Sequence, residues 1–305
     1  MGVPSAHEWP KWMLLAALLA VNIMFVIAWL RAGRIHPRDR PTPGDALIGF
    51  VVCFFDALGI GSFAPSTAWF KLRHRPADEL IPGTLNVGLN APACIETAIF
   101  VTVVAVDPLL LLTMVASATV GAWIGAGTVS RLPRRSIQLF MGAALLIAGM
   151  FFAMANLGWI PAGGVSMSLA GWRFGLAVAV NFVLGALMSV GIGAYAPCMV
   201  LLALLGLHPL GAFPIMMGTC GLVQPVAGLR FFRTGRFAWG VSLGLTLGGV
   251  FGALIAIFIV RQLPLDKLRW LIMIVVLYAA FSMLRSARRS AAPSAPAVTA
   301  SSDGL

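Results

Sequence analysis

The chain has 305 residues, 60% of them hydrophobic and 10% charged, with a mean hydropathy of +0.95. That balance excludes an ordinary soluble core and describes a polytopic membrane protein. A net charge of +11 would suggest nucleic acid for a soluble protein, but here the basic residues sit at the ends of apolar runs. They read as topology signals, and no nucleic-acid partner is expected.

In chain order, Trp12 to Leu30 is the first apolar run, followed by Arg31, Arg34, Arg38 and Arg40. Its basic flank lies on the wrong side for a signal peptide and no small-residue cleavage site follows, so it predicts a transmembrane helix with its N-terminus outside. Asp45 to Leu58 and Ser62 to Leu72 then flank Gly59-Ile60-Gly61. As helices these arms would be about 21 and 16 Å long, each reaching only the midplane. Glycine breaks a helix and Pro65 is tolerated in a first turn, so the stretch reads as helix, break, new helix. After the basic turn Lys71 to Glu79 come three runs long enough to cross, Gly83 to Val106, Leu109 to Ser130 and Ser136 to Ala155. Asn156 to Gly171 is rich in glycine, proline and serine and links two halves.

The second half repeats the first. Gly59 maps to Gly191, Pro65 to Pro197, Pro76 to Pro209, Gly83-Thr84 to Gly218-Thr219, Gly121 to Gly252 and Leu132-Pro133 to Leu263-Pro264, at offsets of 131 to 135. The tail Ser290 to Leu305 has no apolar face and is expected to be disordered. If each Gly-x-Gly stretch is a re-entrant hairpin, sixteen of the 21 Lys and Arg fall on the inside, which full crossings would not achieve. A hairpin plus three crossings is an odd number, so the second half is inserted upside down. The expected fold is therefore an all-α polytopic membrane protein of two inverted repeats, each a broken-helix hairpin plus three transmembrane helices, preceded by one extra helix. The divisions are 1–44 for that helix and its basic loop, 45–155 for repeat 1, 156–172 for the linker, 173–285 for repeat 2 and 286–305 for a cytoplasmic tail.

Inverted repeats with broken helices at the midplane are the architecture of secondary transporters. With no lysine or arginine expected between the loops, an anion would be held by main-chain N–H groups where new helices begin, at Ser62 and Ala194. The candidate substrate-binding residues are Gly59, Gly61, Ser62, Phe63, Thr67, Gly83, Thr84, Asn86 and Asn90, with Gly191, Gly193, Ala194, Tyr195, Gly218, Thr219 and Gln224. Asp56 and Glu96 are the only acids well inside apolar runs, and their repeat counterparts fall near Met188 and Leu229. They read either as a coupling pair for a proton or cation or as neutral acids that tie helices together. The four histidines lie in or beside loops, so no buried metal site is expected, and no P-loop or cofactor motif is present. Cys53, Cys94, Cys198 and Cys220 read as buried structural thiols.

The paired Gly-Ile-Gly stretches, each followed by a proline, a turn and a Gly-Thr step, resemble the TauE/SafE sulfite exporter family, also called the 4-toluene sulfonate uptake permease family. The likeness runs from about Asp45 to Arg285, with Ser62-Phe63 and Ala194-Tyr195 standing where many members carry further glycines. The resemblance implies small sulfur-containing or organic anions such as sulfite, sulfonates and sulfoacetate, moved across the bacterial inner membrane. The expectation is a secondary anion transporter working by alternating access, coupled to a proton or ion, with the lipid bilayer as partner and a homo-oligomer admitted. The alternatives are a passive anion channel and, from another class, an intramembrane enzyme using Asp56 and Glu96. Nothing supplies a nucleophile with a partnered base, so an enzyme is not expected.

Overall fold

The structure is a computed structural model, described over residues 9–35, 39–159, 165–191 and 193–259 and at the single positions 277, 281, 284, 285 and 288. Eleven α-helices are described: α1 (Trp9–Ile35), α2 (Pro43–Asp56), α3 (Phe63–Arg73), α4 (Ile81–Gly88), α5 (Asn90–Val103), α6 (Pro108–Val129), α7 (Arg134–Asn156), α8 (Gly171–Met188), α9 (Tyr195–Leu204), α10 (Pro209–Thr234) and α11 (Trp239–Ile259). Six stretches among the described residues are helical, long and apolar enough to cross a membrane. The Leu263-Pro264 anchor and the expected tail from Ser290 lie outside the described residues.

Local chemistry sets several of these boundaries. Thr42 and Asp45 form a reciprocal capping box, the Asp45 carboxylate accepting from the Thr42 N–H at 2.8 Å and the Thr42 hydroxyl from the Asp45 N–H at 3.3 Å. With Pro43 in the first turn, this fixes the start of α2. The run Gly83 to Val106, expected as one helix, is two, α4 and α5, meeting at Leu89. Pro92 has no N–H to give the Gly88 carbonyl four residues back, and the Thr246 hydroxyl of α11 donates to that carbonyl instead, at 2.8 Å. The broken helix of the second half differs in length from that of the first. Its first arm, α8, has 18 residues against 14 in α2, because it begins at Gly171 and takes in Trp172 and Arg173.

The two halves hold one another by an exchange of contacts. The helix packed most extensively on α2 is α11, and on α8 it is α6. A Cβ on Gly121 of α6 would run into the Phe182 carbonyl of α8, and one on Gly252 of α11 into the Phe50 carbonyl of α2. Likewise Gly185 abuts Ala118 while Gly249 abuts Cys53. The Ser117 hydroxyl donates to the Val178 carbonyl at 2.6 Å, and at the equivalent place Gly248 meets the Ala46 carbonyl. Residue i of one half meets j of the other, and their sequence counterparts meet in turn. Small residues at each crossing let the backbones approach, as in membrane helix packing.

Loops gather at two ends. At one, the Arg75 guanidinium pairs with Asp39 at 2.8 Å, tying the approach to α2 to the exit from α3. Asp39 also accepts the Gly240 N–H at 2.6 Å, Arg236 donates to the Leu132 carbonyl at 2.6 Å, and a buried Asp78 joins Lys71 to Gln138. At the other end, Asp107 N–H donates to Met167 O at 3.1 Å and His208 N–H to Ser166 O at 2.7 Å. There Arg173 at the start of α8 donates to the Leu205 carbonyl just after α9, at 3.3 Å.

Candidate functional site

Both breaks are built from the same turn. Leu58 and Gly59 N–H groups donate to Phe55 and Asp56 carbonyls, and Val190 and Gly191 do the same to Leu187 and Met188. Gly59, Gly61 and Gly191 have φ of +83°, +90° and +93°, a region that costs an L-residue roughly 1–2 kcal/mol. Gly193 does not use it. The tips touch: a Cβ on Gly61 would sit 3.5 Å from the Tyr195 Cβ, and one on Gly193 would sit 3.6 Å from the Phe63 Cβ. This contact too is reciprocal between the halves.

At the heads of α3 and α9 the N-caps Ser62 and Ala194 make no side-chain capping bond, and Pro65 and Pro197, third in each helix, have no N–H. Each head is thus a short set of main-chain donors at the positive end of a helix dipole. The first of them already faces a carboxyl group. The Ser62 hydroxyl and main-chain N–H both interact with the Asp56 carboxyl, loosely, since Asp56 Oδ1 has no partner at full hydrogen-bond geometry. At the second head the position equivalent to Asp56 is Met188, which is apolar and buried.

Asp56 is the centre of a buried cluster drawn from four helices. Tyr195 of α9 donates toward Asp56 Oδ2 at 3.4 Å, and its hydroxyl also lies 2.8 Å from the Met217 sulfur of α10. Glu96 of α5 is wholly buried beside Asp56, and neither of its oxygens has a donor at full hydrogen-bond geometry. Cys53 and Cys220 lie within electrostatic reach of both acids, and Cys198 within electrostatic reach of Cys220. All four cysteines are free. Cys94 is only half-buried, which corrects the expectation of four buried thiols. Among the described residues no group of histidine, cysteine and acid side chains is placed to hold a metal ion.

The remaining candidates are spread more widely. Thr67 donates to the Phe63 carbonyl of its own helix at 2.9 Å. Asn86 reaches the Met188 carbonyl beside the second break at 3.3 Å, while its Oδ1 is buried without a partner. The two Gly-Thr steps do not meet. Gly83 packs against the Arg236 carbonyl, and the Thr84 hydroxyl donates to Leu80 O and accepts the Ala238 N–H, helping to start α11. Gly218 packs against Val115, Leu111 and Leu14, and Thr219 accepts from Asn181. Asn90 donates to Asn22 of α1 at 2.8 Å, and Gln224 leaves a buried carbonyl oxygen unpartnered.

Sequence reasoning passed over three groups here. Ser66 has a buried hydroxyl with no partner one turn into α3. Thr97 donates to the Met217 carbonyl at 2.5 Å, next to the sulfur that Tyr195 touches. Arg230, counted as a loop cation, lies within α10, and its buried Nε has no acceptor. Side-chain cations are therefore not confined to loops. The signal for Arg230 was its place four residues before Thr234, inside the apolar run.

A multi-pass helical membrane protein whose two broken helices meet tip to tip over a buried acid is the class defined by these features. Residues 2–152 match the family model Sulfite exporter TauE/SafE, so over that stretch the chain is similar to the TauE/SafE family. The match takes in α1 and stops inside α7. No curated protein and no solved structure matched the chain. The family is one of transporters rather than of enzymes.

Proposed function

We propose that the chain is a secondary transporter of small sulfur-containing or organic anions, of the sulfite, sulfonate or sulfoacetate type, working by alternating access. The observation that carries this reading is the asymmetry between the two helix heads. The head of α3 is met by the chain's own Asp56, whereas the head of α9 faces no carboxylate of its own break. A substrate anion binds at the α9 head, next to Tyr195 and Gly193, and the Asp56–Glu96 pair supplies the coupling. While one carboxyl of the pair is ionised and the other holds its proton, the single negative charge repels an anion arriving at the touching tips; taking up one proton neutralises it and admits the anion. Proton and anion thus move together.

The inverted-repeat reading belongs to the same proposal. It is supported by the exchanged contacts and by the two ties, Asp39 to Arg75 and Arg173 to Leu205, which join the start of each hairpin to its finish at opposite ends. The boundaries at 45–155 and 173–285, the basic end as the cytoplasmic face and the bacterial inner membrane as location complete it. Counterflow in proteoliposomes tests the function, since only a carrier exchanges labelled for unlabelled anion against a gradient. A thermal-shift screen with sulfite, sulfate, thiosulfate, sulfoacetate, taurine and simple carboxylates identifies the ligand. Stabilisation by none of them, with no counterflow, would overturn the reading.

A further inference from the structure

A hollow of about 580 Å³ opens between α6 and α10 at the basic end, lined by Trp123, Ile124, Gly127, Thr128, Arg131 and Arg230 among others. We propose that it binds an oxyanion group, and that its position fits the phosphate of an anionic phospholipid headgroup. The Arg230 guanidinium carbon stands 3.7 Å from the centroid of the Trp123 ring. The same carbon would lie 3.6 Å from a Cβ at Gly127, so the absence of a side chain there makes room for it. A stacked guanidinium uses its face on the ring and keeps its in-plane N–H donors for a ligand. One of them, Nε, is buried and has no acceptor among the described residues, a costly condition for a charged donor that an anionic ligand would relieve. Arg131, exposed on the turn after α6, brings a second cation, and no carboxylate lines the hollow.

The direction in which the hollow opens selects the source. Trp123 is 38% exposed and Ile124 55%, so the hollow faces the outer flank of the bundle and not the buried cluster at Asp56. On that flank, close to the end of the helices, the neighbour is the lipid headgroup layer. Tryptophan and arginine concentrate there, and basic pockets between helices hold anionic headgroups. A small soluble oxyanion such as sulfite offers the same chemistry and is the other source. The site stands apart from the transport reading, because it needs only that the chain sit in a bilayer.

The test uses the full chain in detergent, titrated with short-chain phosphatidylglycerol, with phosphatidylcholine as the neutral control and with sulfite or inorganic phosphate at fixed ionic strength. Saturable stabilisation and a tryptophan fluorescence change with phosphatidylglycerol, but not phosphatidylcholine, are expected. Arg230→Gln and Arg131→Gln should each weaken the apparent affinity about tenfold, and Trp123→Phe should remove the fluorescence change. Saturation by sulfite or phosphate with the same arginine dependence would support the site and assign it to a soluble oxyanion. Arg131 is exposed, so its variant decides the matter even if Arg230→Gln does not fold. No saturable response to any of these probes, or a response unchanged in Arg131→Gln, overturns the proposal.

Discussion

Tyr195 of the second half holds its hydroxyl 3.4 Å from the Asp56 carboxylate of the first. This is long for an O–H···O bond, and the phenol proton has the Met217 sulfur as a second acceptor at 2.8 Å. A contact this loose adds little to stability but bridges the two breaks. Tyr195→Phe should therefore shift unfolding by no more than about 1 kcal/mol while changing the rate of anion exchange. A melting curve beside a counterflow assay reads both. A variant with wild-type exchange would remove this bridge from the transport cycle.

Gly61 and Gly193 separate backbone need from space at the tips. Gly61→Ala places a Cβ at φ +90°, a loss of about 1–2 kcal/mol, whereas Gly193→Ala meets only an ordinary 3.6 Å contact with Phe63. Gly193→Ala should fold as the wild type, and Gly193→Val, which reaches further into the α9 head, should lose transport. Monodispersity in detergent is checked before transport is scored. Normal transport by a well-folded Gly193→Val protein would take the α9 head out of the site.

Glu96 has no hydrogen-bond donor at full geometry to lose, so Glu96→Gln should change stability by less than about 1 kcal/mol. Under the coupling proposed, Glu96→Gln or Asp56→Asn abolishes uptake driven by a pH gradient and leaves ligand-induced stabilisation intact. Proton-driven uptake that persists in both variants would return the acids to a structural role.

Arg73 and His208 should lie on opposite faces of the membrane. Single cysteines at these positions, in a background without the native thiols, would then label from opposite sides with an impermeant maleimide. Labelling from one side alone would contradict the inverted arrangement.

Much of the fold was legible because membrane helices are selected by length and apolarity, which single residues carry. The turns at Gly59 and Gly191 were legible for a related reason, since Gly-x-Gly followed by proline permits few conformations. The split at Leu89 was less so: proline near a helix start and proline inside a helix look alike until Thr246 is known to serve the freed carbonyl. Thr84 and Thr219 illustrate the limit at the site. Their equal places in the repeat suggested one shared task, yet each hydroxyl is committed to a different helix, because a side chain's partner depends on what packs against it and not on its position in the run. Arg230 shows the reverse error, a residue grouped with loops by its neighbours Arg233 and Arg236 while its own backbone stays helical.

The exchange of glycine contacts, α2 against α11 and α8 against α6, means that the linker is a seam in the chain and not in the machinery. Each first arm packs on a helix encoded in the opposite half, so under the transport cycle proposed above the bodies that tilt would be crossed pairs of segments. A chain severed within 156–172 would give two fragments, each baring a glycine groove shaped for the other. Neither should be stable alone, and co-expression of the two should rebuild the protein.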